Sequence, residues 1–431
     1  MSYPDVALKN KNSIQLEHGL PMIERWFLQQ IFKAIGPAPV RLVLKGGAEM
    51  SPPGVSPIAT VMILDRLTLA KLVIDPEMAF GEAYADGRIQ VAGDLAGVLE
   101  AVYESWPNGR EGASKYQWLM SKWMNWLQDN TPRGSKSNIR HHYDVGNDFY
   151  RLWLDSQLVY TCAYFPSPST TLEAAQEAKL DYICRKLRLR AGETVVEAGC
   201  GWGALALHMA QRYGVSVKAF NISHEQTIYA RRRAADEGLS GRVEFIEDDY
   251  RNIRGAFDVF VSVGMVEHLG VRHFADFGEV IHRSIGDRGR GLLHFIGKSH
   301  KGDFSRWIRE RIFPGVYAPT LSEAMNILEP HNYAVVDVEN LRPHYATTLE
   351  HWLERFEKSS EQVSDMCGLW FQRAWRLYLS GSVAAFRAGA LRLFQICFAG
   401  SQSPLISWTR APLYTDLKPS TEDTEWIHAM S

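Results

Sequence analysis

The sequence has few cysteines, almost no net charge and no long apolar run. None of the five cysteines stands in a CxxC pair or a repeated spacing, which argues against a zinc site and a disulfide framework: Cys162, Cys184, Cys200, Cys367 and Cys397. A formal net charge of −2 gives no global basic field for a nucleic acid. No uncharged apolar stretch reaches the ~18–20 residues of a membrane span, and the first residues show no secretory signal. We therefore expect a metal-free cytoplasmic protein, soluble or peripherally associated with the inner face of the membrane.

The length of 431 residues predicts two domains, because a domain usually has about 100–200 residues. We place a small N-terminal domain at residues 1–130, a larger domain at 131–400 and a C-terminal extension at 401–431. The polar stretch 128–138 is the predicted linker. Before it, residues 113–127 combine helix formers with Trp and Lys, which suits either a membrane interface or a helix packed on the next domain.

The N-terminal domain shows mixed periodicity. Apolar residues recur at helical spacing over residues 22–35, and short strands are predicted at 39–44 and 56–64. Two further strand candidates are the segments LVI and RIQV. The pattern is typical of a small α+β domain.

In the larger domain, helical segments alternate with short β-branched runs. The runs are TVVEAG, VSVKAFNI, RVEFIED, DVFVSVG, GLLHFIG and YAVVDVENL. Strands that alternate with helices predict an open, mostly parallel α/β sheet.

A glycine-rich loop follows the first of these strands, in the segment VVEAGCGWG, and a helix follows the loop. Such a crossover is where open α/β sheets bind nucleotides. The spacing is GxGxG, not the GxGxxG of dinucleotide binders, and the second strand ends in Asn221, not in a ribose-binding acid. Glu197 instead precedes the glycines, where a carboxylate can meet a cationic amino acid. This pattern favours S-adenosylmethionine over a nicotinamide cofactor.

Several motifs in this order resemble one family. They are NIRHHYDVGNDFYRLWLD, YTCAYF, VVEAGCGWGALALHMA, NISHEQ, SVGMVEHLG, LLHFIG and RWIRERIFPG. Residues 138–399 thereby resemble the cyclopropane-fatty-acyl-phospholipid synthases, which are mycolic acid cyclopropane synthase-like members of the S-adenosylmethionine-dependent methyltransferases. The resemblance implies a Rossmann-like class I methyltransferase sheet, with the N-terminal domain as an accessory domain. It also implies transfer of a one-carbon unit to the double bond of an unsaturated fatty acyl chain on a phospholipid, forming a cyclopropane ring.

The resemblance also implies the residues that hold S-adenosylmethionine. They are Tyr160, Thr161, Val196, Glu197, Ala198, Gly199, Cys200, Gly201, Trp202, Gly203, Ala204, Asn221, Ile222, Ser223, His224, Glu225, Gln226, Asp249 and Tyr250. Three of them depart from the family pattern: Glu197 replaces the usual Asp, Thr161 the usual Ser, and Asn221 a common Thr. Each keeps a polar group, so the departures can change the fit of the cofactor without removing its binding.

Bicarbonate is the second cofactor that the resemblance implies, as the acceptor of the proton that is lost when the ring closes. Its ligands are carried over as Cys162, Glu267, His294, Ile296 through its backbone N–H, and Tyr378. Without this context, the cysteine, histidine and tyrosine would read as core residues. Glu267 differs, because it follows an apolar run in which a carboxylate is costly unless it is paired.

The substrate implied is an unsaturated phospholipid acyl chain at a membrane surface, and a homodimer is an open alternative to a monomer. Aromatic faces could stabilise a cation on that chain, and the candidates are Tyr143, Phe149, Tyr150, Phe165, Trp202, Trp307, Tyr317 and Phe386. Two segments mix basic with aromatic residues, 115–126 and 301–313. We favour the second as a membrane contact, through exposed Trp307, Ile308, Ile312 and Phe313 beside Arg306, Arg309 and Arg311. The alternative is a buried helix with solvated arginines.

Two other functions stay open at this stage. A fatty-acid C-methyltransferase of the same family would add a methyl branch without closing a ring. A non-catalytic lipid-binding protein could keep the same fold. The complete glycine loop and the complete set of anion ligands favour ring formation.

Overall fold

The structure is a computed structural model that describes residues 15–16, 22–105, 146–302, 304–404, 406 and 408–411. The predictions for residues 113–127, for the linker 128–138 and for Tyr143 lie outside the described residues.

The described residues form fourteen α-helices and twelve strands. The helices are α1 (Met22–Ile35), α2 (Arg66–Ile74), α3 (Pro76–Ala85), α4 (Leu95–Glu104), α5 (Asn147–Arg151), α6 (Leu172–Leu187), α7 (Ala204–Tyr213), α8 (His224–Asp236), α9 (Phe274–Ile285), α10 (Arg306–Arg311), α11 (Leu321–Ala324), α12 (Arg342–Lys358), α13 (Ser360–Cys367) and α14 (Leu369–Arg387). The strands are β1 (Gln15–Leu16), β2 (Val40–Leu44), β3 (Glu49–Ser51), β4 (Ala59–Ile63), β5 (Ile89–Gly93), β6 (Thr194–Ala198), β7 (Ser216–Asn221), β8 (Val243–Glu247), β9 (Val259–Val263), β10 (Arg290–Gly297), β11 (Ala334–Asn340) and β12 (Arg392–Ala399).

The chain divides into two compact units. The first comprises Met1–Glu111 and Gly368–Ala388, and the second comprises Gly112–Cys367 and Gly389–Ser431. Helix α14 therefore belongs to the first unit, although most of the second unit precedes it in the sequence. A division of the sequence into consecutive domains does not predict this. The proposed domains at 1–130, 131–400 and 401–431 stay a prediction, because the first boundary lies outside the described residues.

The first unit contains a five-stranded sheet in the order β1-β3-β2-β4-β5. Its neighbouring strands are antiparallel except β2 and β4, which are parallel. Asp65 and Asp94 begin helices α2 and α4 by accepting the backbone N–H of the third helical residue, at 2.7 and 2.9 Å. Helix α14 packs against α3 and α4, and its Arg376 donates to the Tyr84 hydroxyl at 2.7 Å.

The second unit contains a seven-stranded sheet in the order β11-β12-β10-β9-β6-β7-β8. Strands β6 to β10 are parallel to one another, and β12 runs antiparallel to β10 and β11. The strand order reverses between β6 and β9, and ligands of such sheets bind at the carboxyl ends of the strands beside this point. Apolar clusters cover both faces, one with Leu180 and Leu207 and the other with Phe277 and Phe295.

Most elements agree with the sequence reading, and the six predicted strands of the larger domain are β6 to β11. The Rossmann-like open sheet and the helix after the glycine loop are confirmed. The segment LVI was wrongly predicted as a strand, because it completes helix α2, which Asp65 caps. The strands β1, β3 and β12 were not predicted.

Among the helices that the structure describes, none is long and apolar enough to cross a membrane.

Candidate active site

The glycine loop links β6 to α7 at the carboxyl edge of the large sheet. Gly199, Gly201 and Gly203 have φ angles of +84°, +54° and +84°, a region that side chains other than glycine rarely adopt. A Cβ on Gly203 would lie 2.5 Å from the Phe245 ring, so this glycine is required for packing. A Cβ on Gly201 would have no atom within 4 Å among the described residues, so the loop leaves backbone bare toward open space.

The end of β7 supports this loop through a polar network. The Asn221 side-chain amide donates to the Gly201 carbonyl at 3.1 Å and to Gln226 Oε1 at 2.9 Å. Ser223 begins helix α8, and its hydroxyl accepts the Gln226 N–H at 3.5 Å. Among the predicted residues 221–226, Asn221, Ser223 and Gln226 are buried, whereas His224 and Glu225 are exposed.

Asp249 and Tyr250 follow β8, the next strand along this edge. Both side chains are buried, and Asp249 accepts both the backbone N–H of Arg251 at 2.9 Å and its guanidinium at 3.2 Å. The Asp248 N–H donates to the Asn221 carbonyl at 3.0 Å, which ties this turn to the end of β7. The structure therefore brings the three predicted cofactor segments to one edge of the sheet.

Glu197 is the buried carboxylate at the end of β6. Only 2% of its surface is exposed, and its Oε2 has no hydrogen-bond partner among the residues that the structure describes. Burial raises the pKa of Glu197 to about 8, and the charge of Lys179 opposes this shift. A cationic group placed at Oε2 would restore the ionised form, so the carboxylate fits the ammonium of an amino acid ligand.

Lys179 of helix α6 is the buried cation that the sequence reading missed. Its ammonium donates to Thr161 Oγ1 at 3.0 Å, and burial lowers the pKa of Lys179 to about 8. Its charge also acts on the pKa values of Glu197 and His294. Lys179 is therefore electrostatically coupled to both predicted sets of ligands. In the sequence, the burial of Lys179 is indicated only by its position among the core residues of an amphipathic helix.

Aromatic side chains form a largely buried group that includes Trp202 of the glycine loop. We define the aromatic cluster as residues whose ring centroids lie 4.9–5.8 Å from a neighbour's: Phe149, Tyr150, Trp153, Tyr160, Trp202 and Trp352. Trp202 Nε1 also donates to Asn147 Oδ1 at 2.7 Å, which holds the glycine loop against helix α5. The cluster places three of the predicted aromatic candidates, Phe149, Tyr150 and Trp202, in one group.

Glu267 lies just beyond β9, in the short 3₁₀ turn Val266–His268. Its Oε1 accepts the Ile296 N–H at 3.3 Å, and its Oε2 is buried without a hydrogen-bond partner in the described part of the chain. Burial raises the pKa of Glu267 to about 7. The Ile296 N–H donates to this carboxylate, and its predicted role toward the anion stays a prediction.

His294 lies in the middle of the core strand β10 and is 1% exposed. Its Nδ1 lies 2.9 Å from the side-chain nitrogen of Gln395, and its Nε2 has no hydrogen-bond partner among described residues. Burial, followed by the charges of Lys179 and Lys186, holds the pKa of His294 well below its ordinary value. The imidazole is therefore neutral.

Cys162 and Tyr378 complete the predicted anion site. Cys162 is fully buried, its thiol donates to the Ala163 carbonyl at 3.1 Å, and burial raises its pKa, so it is a thiol and not a nucleophilic thiolate. Tyr378 is buried on α14, which belongs to the first unit, and its place in this site stays a prediction.

The residues present fit both cofactors. The bare glycine backbone and Glu197 Oε2 suit an amino acid conjugate, and two buried polar atoms, Glu267 Oε2 and His294 Nε2, suit a small anion that can both donate and accept. No cluster of three or more His, Cys, Asp or Glu that could hold a metal ion occurs among the described side chains.

The segment 301–313 differs from its predicted role. Trp307 and Ile312 are buried at 3% and 5% exposure, so the expectation that they are exposed for membrane insertion is wrong. Arg309 is buried as well, and Arg306 pairs with Glu310 at 2.8 Å. The apolar face of α10 packs inward, as in the alternative that we described, but Arg309 is not solvated as that alternative expects.

Comparisons with known proteins identify the family to which the chain belongs. The family described as mycolic acid cyclopropane synthetase matches residues 130–396, and a domain family of unknown function matches residues 27–108. A protein of Pseudomonas putida named "Probable fatty acid methyltransferase" is 33% identical over 399 residues, which is 87% of this chain and 96% of that protein. The cyclopropane-fatty-acyl-phospholipid synthase of Escherichia coli (strain K12) is 40% identical over 262 residues, 60% of this chain and 67% of that protein.

A solved structure gives the same result for the fold. A mycolic acid cyclopropane synthase crystallised with SAH and CTAB superposes with a TM-score of 0.59 at 29% identity, and the match covers 61% of this chain and 97% of that one.

Proposed function

Because the chain belongs to the mycolic acid cyclopropane synthetase family of S-adenosylmethionine-dependent enzymes, we propose that it forms cyclopropane rings on phospholipids. The proposed substrate is an unsaturated fatty acyl chain, and the carbon added comes from the methyl group of S-adenosylmethionine. The proposed proton acceptor is a bicarbonate ion at Glu267 and His294.

The observation that carries this proposal is the pair of buried polar atoms Glu267 Oε2 and His294 Nε2. Each costs free energy when it is buried without a partner, by about 1–3 kcal/mol for a neutral group and more for a charge. Ring closure and formation of a methylene branch both release a proton from the cation, so an acceptor at these atoms would serve either product. A hydrogen-bonding anion at these atoms would satisfy both and could accept a proton.

Bound S-adenosylmethionine would supply an electrophilic methyl group to the alkene, and bound bicarbonate would take a proton from the added carbon as the ring closes. The protein's own part is to hold and orient the cofactor and the acyl chain, and to exclude water from them. Glu197 holds the ammonium end of the cofactor, and the glycine loop lets the backbone approach it. The aromatic cluster excludes water and offers π faces to a cation without acting as a nucleophile.

Glu267 has the role of an oriented acceptor. With a pKa raised to about 7 it is ionised in a growing fraction of molecules as the pH rises above 7. The ionised carboxylate would accept the hydroxyl hydrogen of the anion at Oε2, with Oε1 on the Ile296 N–H. His294 Nε2 is the proposed donor to one remaining oxygen, Cys162 would line the anion, and Tyr378 stays a predicted phenol donor.

A second candidate is transfer of a methyl branch without ring closure. It is favoured by one observation, the match to the Pseudomonas putida protein, which extends over 96% of that protein and includes the N-terminal region. Both reactions use the same cofactor and the same acyl chain, and they differ in the fate of the cation.

The substrate would be reached at a membrane surface, with the protein on the inner face of the membrane. Trp307 and Ile312 are buried, so they are not available for insertion into a membrane. Segment 301–313 would instead meet anionic head groups with its basic side chains, chiefly the exposed Arg311. A homodimer remains part of the proposal without a surface assigned to it.

The test is a reconstituted reaction. Purified protein is incubated with S-adenosylmethionine and vesicles of an unsaturated phospholipid, and S-adenosylhomocysteine release is measured beside the mass of the acyl chains. The expected result is one carbon added per molecule of S-adenosylhomocysteine, only on unsaturated chains. Binding of the lipid without turnover would favour a non-catalytic lipid-binding protein.

A further inference from the structure

We propose that Gln395 is a positioning residue that fixes which ring nitrogen of His294 carries the proton, and that Lys186 sets the orientation of Gln395. The proposal rests on the proposed function in one respect, that His294 is a donor in the anion site. The hydrogen-bond chain itself can be tested without any assay of activity.

The sheet register places the members of this chain side by side. Gln395 on β12 lies opposite His294 on β10 and opposite Glu339 on β11. Residues that are directly opposite on neighbouring strands point to the same face of the sheet. The three side chains therefore form one row across three strands, with Gln395 in the middle.

Lys186 of helix α6 joins this row from above the sheet. Its ammonium lies 2.5 Å from Glu339 Oε2, 3.6 Å from Asp337 Oδ2 and 2.9 Å from Gln395 Oε1, and its side chain is fully buried. An ammonium has three donors and no acceptor. It can therefore meet only the oxygen of the Gln395 amide, and this fixes the orientation of the amide.

The orientation of Gln395 then determines the proton on His294. With Oε1 on Lys186, the amide nitrogen faces His294 Nδ1 at 2.9 Å. An amide NH₂ only donates, so Nδ1 must accept and carries no proton. A neutral imidazole has one N–H, which is therefore on Nε2, the atom left for the anion site.

This assignment has a chemical consequence for the site. His294 presents a hydrogen-bond donor at Nε2 and cannot take a proton there while the chain is intact. Lys186 and its two carboxylates thereby keep the imidazole in the form that suits an anion, from a position that does not touch the reacting atoms.

The first experiment measures the tautomer in the wild-type protein. The whole chain is labelled with ¹⁵N-histidine, and two-dimensional ¹H–¹⁵N spectra of the imidazoles are recorded with a His294→Gln variant for assignment. We expect His294 to be protonated at Nε2 alone. A proton on Nδ1 would overturn the proposal, and if the His294→Gln protein fails to fold, the resonance that Gln395→Glu displaces gives the assignment.

We call the hydrogen-bond chain from Lys186 through Gln395 to His294 the relay. The second experiment reverses the direction of its hydrogen bond to His294. In Gln395→Glu a carboxylate replaces the amide, so Nδ1 must now donate, and we expect Nδ1 to gain a proton and turnover to fall at least tenfold. Gln211→Glu, the same change on an exposed face of α7, is the control and should alter neither quantity. S-adenosylmethionine affinity should stay within twofold of wild type in both variants.

The outcomes separate the two proposals. An unprotonated Nδ1 in the Gln395→Glu protein contradicts the relay. A deprotonated Nε2 together with wild-type turnover supports the relay and contradicts the donor role of His294 in the proposed function.

Discussion

Replacing Glu267 by Gln separates the charge of this side chain from its shape. The amide can keep an oxygen on the Ile296 N–H, where Glu267 Oε1 now accepts at 3.3 Å, but it places an NH₂ donor where Oε2 stood. One hydrogen bond to a charged group is lost, which is worth about 1.5–3 kcal/mol. At about 1.4 kcal/mol per factor of ten, we expect turnover to fall about 10- to 150-fold.

The same change should stabilise the fold, and the sign follows from the pKa. Burial raises the pKa of Glu267 from 4.5 to about 7, so the folded state binds a proton more tightly than the unfolded state. Stability contributed by this group is complete below the unfolded pKa and is lost as the pH rises toward 7. Removing the carboxylate should therefore recover up to about 3 kcal/mol at pH 8 and less than ~1 kcal/mol at pH 5.

The assay is a set of melting temperatures from pH 5 to pH 8, with turnover measured at each pH. The Gln variant should melt higher than wild type at pH 8, the gap should close toward pH 5, and the wild-type turnover should fall below about pH 7 while that of the variant stays flat. Glu354→Gln on α12, where the carboxylate is exposed and pairs with Lys358, is the control and should keep wild-type turnover. Equal turnover of wild type and Glu267→Gln, or a lower melting temperature of the variant at pH 8, would refute the reasoning.

Three further predictions concern the cofactors and the membrane. Gly201→Val should lower S-adenosylmethionine affinity at least tenfold by calorimetry, whereas Gly238→Val, equally left-handed at φ +70° but exposed at the end of α8, should not. Removal of bicarbonate from buffer by exhaustive degassing should slow wild-type turnover and its return should restore the rate; an unchanged rate would argue against the anion. Arg311→Gln should weaken binding to anionic vesicles about fivefold at low salt, since one basic residue near such a surface is worth about 1 kcal/mol, and equal co-sedimentation would exclude this contact.

Periodicity and motif order predicted much of the second unit. The six strands β6 to β11 have strong β-branched runs, and the glycine loop is defined by local conformation, so both could be read from sequence. Strand β12, RLFQICFA, was missed although Gly389, at φ +75°, marks the turn that separates it from the preceding helix. Since Gln395 lies on β12, the partner of His294 was missed with it.

Other features depend on packing that no local pattern contains. Lys179 and Lys186 are two lysines of one helix, and only the fold shows that both ammonium groups are buried against polar partners. Trp307 and Ile312 looked suited to a membrane because they alternate with arginines, but the same spacing also builds a helix with one inward face. The orientation of such a helix is decided by what it packs against.

The most direct test of the central claim is the position of the transferred carbon in the product. Unsaturated phospholipid vesicles are incubated with the protein and with S-adenosylmethionine that carries ¹³C in its methyl group, and the lipid is examined by ¹³C and ¹H NMR. The account predicts a labelled ring CH₂, with upfield protons, that is bonded to both former alkene carbons. A labelled carbon bonded to only one of them, as a methyl or methylene branch, would contradict it.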